Sequence, residues 1–156
     1  MKQGWLAMGV LLTLGACASD ERMATFRQSE TQLLTLRQAA SLPCATQAAC
    51  DSAWQLTRRY IENRSSTPVT RFDADAIETA QSHVAGDVYL WASRAASSGG
   101  GWVIRIKAMC KGMYSSDGGP GWRYDACAAQ IREIESGFRS FADPKSDPKG
   151  ARIPPG

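Results

Sequence analysis

The densest chemistry-bearing group in the chain is acidic: Asp73, Asp75 and Glu78 fall within six positions. Carboxylates spaced this closely could hold Ca²⁺ or serve as a general acid and base. A helix-loop-helix calcium site needs further ligand positions, a glycine and a distal Glu, and none of these follows. The Asp73-Ala74-Asp75 run instead has the composition of a turn, where short carboxylates accept hydrogen bonds from their own backbone. His83 is the only histidine. It sits between Ser82 and Val84, with no G-x-S-x-G, S-x-x-K or H-E-x-x-H pattern nearby to supply a nucleophile or a metal partner. Asp117-Gly118-Gly119-Pro120-Gly121 has the glycines of a phosphate cradle. It lacks the Lys-Ser/Thr that such a loop requires, and it does not lead from a strand directly into a helix. No catalytic residue, metal or cofactor is assigned, and the expectation is a non-enzyme.

The N-terminus is more specific. Lys2 precedes an apolar run from Trp5 to Leu14, followed by Gly15-Ala16-Cys17. A basic start, a short apolar stretch and small residues form a secretory signal, and a run of about ten residues is too short to cross ~30 Å of hydrocarbon as a helix. Leu14-Gly15-Ala16-Cys17 resembles the lipobox of bacterial lipoproteins, in which the cysteine is acylated and becomes the mature terminus. The alternative is an ordinary signal cut beside Ala16 or Ala18. The resemblance implies a signal peptide over 1–16, lipidation at Cys17 and a tether over 17–28. Ala18 and Ser19 follow the cysteine without an inner-membrane retention Asp. The implied location is the outer membrane, facing the periplasm.

The net charge is +3, from 18 basic and 15 acidic residues, with no basic block. Nucleic acid is therefore not an expected partner. Beyond Cys17 four cysteines remain: Cys44, Cys50, Cys110 and Cys127. An even number in an exported chain reads as two disulfides. Three pairings are possible. Closeness in sequence favours Cys44–Cys50 and Cys110–Cys127. A metal site is disfavoured because no C-x-x-C occurs and His83 is remote from both pairs.

These residues must be positioned by a single domain over 29–143, with a disordered Pro- and Lys-rich tail over 144–156. Ser29 is expected to cap a helix to Ala40 with Leu33, Leu36 and Ala40 on one face, ended by Pro43. Asp51 or Ser52 is expected to cap a second helix to about Asn63. Ala53, Trp54, Thr57, Tyr60 and Ile61 form its apolar face. Period two then replaces period 3.6. Val69–Phe72 and Ala76–Ala80 are short strand candidates, and Asp87–Ala95 is a longer one. In Trp102–Cys110, Ile104, Ile106 and Ala108 alternate with Arg105 and Lys107. Residues 111–124 are too rich in glycine for regular structure. Asp125 is expected to cap a last helix whose stripe is Cys127, Ile131, Ile134, Phe138 and Phe141. Strands in succession without intervening helices argue for an α+β fold, an antiparallel meander of three to four strands with helices on one face.

The aromatic residues offer one surface hypothesis. Tyr89 and Trp91 share a strand face opposite Val88 and Leu90. Tyr114, Trp122, Arg123 and Tyr124 lie in the cysteine-bracketed loop. Together they would make an aromatic-basic platform for a partner, provided the rings are exposed. The functional expectation is a lipid-anchored interaction or structural module of the cell envelope with a protein partner. A glycan-binding (peptidoglycan) module is the alternative, and an envelope hydrolase is the more distant one.

Overall fold

The computed structural model describes residues 6–143, with side chains from residue 20 onward. Cys17 and the expected signal segment fall outside the described side chains, and the tail 144–156 outside the described residues. The elements run α1 (Leu6–Ala39), β1 (Ser41–Cys44), α2 (Gln47–Arg64), β2 (Val69–Phe72), β3 (Ala76–Thr79), β4 (Val88–Ala96), β5 (Trp102–Cys110) and α3 (Tyr124–Ala142). The five strands form one sheet in the order β1-β5-β4-β3-β2, with every pairing antiparallel. The fold is α+β, as expected, with one strand more than the meander anticipated.

The extra strand is β1, which pairs Ser41 with Arg105 and Cys44 with Trp102. Pro43 does not merely end a helix; it lies within this strand. An edge strand tolerates proline because its missing amide leaves no ladder bond broken on the solvent side. Only Leu42 of β1 is buried. Beside this strand Gly101 ends the β4–β5 hairpin loop at φ +71°, and a Cβ there would stand 2.4 Å from the Cys44 carbonyl. Only glycine fits so close to the backbone of β1.

The helix starts differ from expectation. Ser29 is not a cap, because α1 is already helical upstream of it, so residues 20–28 of the expected tether form part of this helix. The stripe Phe26, Leu33 and Ala40 carries it onto α3. Helix α2 begins at Gln47, capped by Thr46, whose hydroxyl accepts the Ala49 amide at 3.2 Å. Asp51 and Ser52 lie one turn inside it. All five residues expected on its apolar face are buried. Helix α3 begins at Tyr124 after Arg123, without a side-chain cap, and Asp125 lies in its first turn.

The core lies between the sheet and α2 and α3. Val88, Leu90, Ile104 and Ile106 meet Cys127, Ile131, Ile134 and Phe138, all buried. Phe141 departs from the stripe: it is 44% exposed and covered on one side by the Tyr60 ring at 5.0 Å. Ala128, Glu135 and Ala142 are buried in its place. At 100° per residue these three rotate the buried arc of α3 away from Phe141, leaving it on the rim. Both disulfides have the expected pairing, Cys44–Cys50 and Cys110–Cys127. The first ties β1 to the opening turn of α2, and the second ties the end of β5 to α3. No helix among the described residues is long and apolar enough to cross a membrane.

Candidate interaction surfaces

The acidic group is a folded turn. Asp73 Oδ1 accepts the amides of Asp75 at 2.9 Å and Ala76 at 2.8 Å, while its Oδ2 meets Arg71 Nε at 2.6 Å. Glu78 takes the other arm of Arg71 at 2.7 Å. The backbone donors, then the Arg71 guanidinium, hold the Asp73 carboxyl below its ordinary value. An acid fixed in its ionised form by its own turn is a poor proton donor. His83 is exposed, and Ser82 Oγ bonds directly to Asp87 Oδ2 at 2.6 Å, so the sequence of Ser, His and Asp makes no relay. Asp117 accepts from Ser115 Oγ and the Gly119 amide, turning the glycine loop in on itself rather than toward an anion. Among the described residues no cluster of three or more His, Cys, Asp or Glu could hold a metal.

The six residues of the expected platform separate. Tyr124 belongs to the core: it is 6% exposed, edge-on to Phe26 of α1 at 4.9 Å. It starts α3 on the same arc as Cys127, Ala128 and Ile131, so its ring is carried inward. Its hydroxyl donates to Glu30 at 2.7 Å, and Tyr114 donates to the same carboxylate at 3.0 Å. Burial, with the Glu30 carboxylate, pushes both phenols up to about 12. These two tyrosines therefore fasten the disulfide-closed loop to α1.

Trp122 and Arg123 stay outside. Trp122 is 77% exposed, and the Arg123 guanidinium sits 4.7 Å from its ring centroid. Such a stack is worth about 0.5–1 kcal/mol at an exposed site. The loop beneath has little freedom to move: Gly121 donates to the Met113 carbonyl at 2.8 Å, Tyr114 bridges to Pro120, and the Cys110–Cys127 bond closes its base. Beside it, between α1 and the start of α3, a cleft of about 980 Å³ is lined by Phe26, Ser29, Pro120, Tyr124, Asp125 and Arg132.

Tyr89 and Trp91 stand on the other face of the sheet, away from the helices. Tyr89 is half-buried and Trp91 is 36% exposed. The register sets Trp91 beside Lys107 on β5 and Glu78 on β3.

Sequence reading missed Glu135. Its side chain is fully buried, with Oε1 accepting Arg37 Nε at 3.2 Å and the Ala108 amide at 3.1 Å. Oε2 is buried with no hydrogen-bond partner among the described residues. Desolvation raises its carboxyl above the ordinary value against the opposing pull of the Ala108 amide and Arg37. The available signal was its position: Cys127, Ile131 and Glu135 are spaced i, i+4, i+8 on one helix face. No known protein family, curated protein or solved structure matches this chain.

Proposed function

We propose that this protein is an outer-membrane-anchored periplasmic lipoprotein acting as a non-enzymatic interaction module of the cell envelope. The anchor rests on Leu14-Gly15-Ala16-Cys17. The interaction reading rests on one observation above others: Trp122, 77% exposed under the Arg123 guanidinium, on a loop held at its base by a disulfide. Tryptophan and arginine supply a large share of interface energy. A loop held in shape beforehand loses little entropy on binding. The partner is an envelope protein, recognised through this tip.

The test is capture of partners from crosslinked membranes by the wild type, by Cys17→Ser and by Trp122→Ala/Arg123→Ala. Cys17→Ser should leave the membrane fraction or persist as uncleaved precursor. The double variant should stay on the membrane and lose its partner. A fully soluble wild type would refute the anchor. Co-sedimentation with purified sacculi, in place of a captured protein, would move the reading to a glycan partner.

A further inference from the structure

The helix-free face of the sheet divides its charge. On the β5 side stand Arg105 and Lys107, both exposed and with no ion-pair partner among the described residues. On the β2–β3 side Glu78 and Asp73 share the single cation Arg71, so that cluster is net acidic, and the exposed Asp75 adds to it at the turn. Between them runs β4, with Tyr89 and Trp91 on this face. One row of the register reads Lys107, Trp91, Glu78, Arg71 from β5 to β2. The next reads Arg105, Ser93, Ala76, with the Asp73 amide donating to the Ala76 carbonyl at 3.0 Å.

A surface that is cationic on one flank, acidic on the other and aromatic along its midline matches its own rotated copy. A twofold axis running along β4 through Trp91 would lay β5 over the β3 of a second molecule. Lys107 then meets the partner's Glu78, Arg105 meets the partner's turn acids, and the two Trp91 rings meet at the centre. An acidic polymer would satisfy the β5 flank and be repelled by the other. The size sets the strength: strands of four, four, four, nine and nine residues, at ~3.3 Å per residue and ~4.8 Å between strands, give about 480 Å² per copy, or about 950 Å² in all, the size of a weak, reversible interface. Two sheets stacked face to face form an ordinary sandwich.

We propose that this face binds a second copy of the same chain, as an isologous dimer centred on Trp91. The experiment is sedimentation equilibrium of the full chain in mild detergent, with a circular dichroism melt to check the fold of each variant. Lys107→Glu and Glu78→Lys each set like charges opposite one another on both sides of the axis. Each alone should lose at least about tenfold in dimerisation constant. In an equimolar mixture every new charge meets its opposite, so dimers should return. Trp91→Asp, which leaves the Arg71 cluster intact, should be monomeric. A wild type that remains monomeric across the concentration range overturns the proposal. So does a Trp91→Asp dimer, or a mixture of the two charge variants that fails to recover.

Discussion

Glu135 Oε1 accepts the amide of Ala108 at 3.1 Å, on the β5 edge just past the point where β1 stops pairing. The preceding amide on that edge, Ile106, donates to the Ala40 carbonyl at 3.2 Å. A helix side chain thus continues, by one bond, the ladder that a four-residue strand leaves unfinished. Arg37 of α1 meets the same oxygen, so one carboxylate joins α1, α3 and the sheet.

Removing that carboxylate has two separable effects. Glu135→Ala leaves the Ala108 amide buried without an acceptor, which should destabilise the domain by about 1–3 kcal/mol in chemical denaturation. Glu135→Gln keeps an acceptor and removes the charge. Because the folded state raises this carboxyl, the folded chain binds its proton more readily than the unfolded chain. The stability it contributes is complete below the unfolded Glu value, about 4.3, and is lost as pH rises through the higher folded value. Wild type measured against Glu135→Gln should therefore gain relative stability as pH falls through that window. A difference that does not change with pH, or that changes the other way, would refute this.

The elements differ in how far they could be read from sequence, for physical reasons. In β5, Ile104, Ile106 and Ala108 alternate with Arg105 and Lys107 because one face packs on α3 and the other meets solvent. The pattern records that asymmetry directly. β1 has four residues, one buried side chain and a proline, so its pairing with β5 leaves no period. Residues 20–28 of α1 are polar on nearly all sides, and the ring that ties them to the body is Phe26, edge-on to Tyr124. Asp51 and Ser52 are sound capping residues, but the Cys44–Cys50 closure sets the chain entering α2 a turn earlier, where Thr46 caps. Aromatics within a glycine-rich loop show nothing of which rings turn inward. Tyr124 could have been read as buried, since it precedes Cys127 by three and Ile131 by seven. Trp122 lies outside that spacing.

The rotated arc of α3 separates two phenylalanines that look equivalent in the sequence. Phe138 is fully buried beside Tyr60, and Phe141 is 44% exposed. Phe138→Ala should destabilise by about 3–5 kcal/mol in denaturant unfolding, the range for an aromatic removed from a closed site. Phe141→Ala should cost markedly less. Equal losses would mean that the last turn of α3 is covered in solution.

The Cys110–Cys127 bond spans a sequence separation of 17 and joins the sheet to α3 across the loop. Replacing both cysteines by alanine should cost about 2–5 kcal/mol. Hydrogen exchange should accelerate within 111–123, where protection rests on short turns such as Ser115 to Gly119 at 3.0 Å. The Cys44–Cys50 bond closes a smaller loop, so its loss should cost less. Reversing that order would mean that the first bond carries the packing of β1.

The loop tip provides the sharpest separation of binding from folding. Trp122→Ala/Arg123→Ala removes a ring that is 77% exposed and the cation stacked on it, and leaves Tyr114 and Tyr124 on Glu30. Surface changes of this kind usually shift stability by no more than about 0.5 kcal/mol, so the melting curve should stay nearly in place. Partner capture should fall by an amount corresponding to about 2 kcal/mol or more for each anchor residue desolvated at the interface. His83→Ala serves as the contrast. His83 is exposed, so a module that works by surface contact should keep its phenotype in that variant. A normally folded His83→Ala protein that loses the phenotype would point to a reactive side chain and overturn the non-enzymatic reading. A double loop variant that melts earlier in step with its loss of capture would return Trp122 to the fold and remove it from the interface.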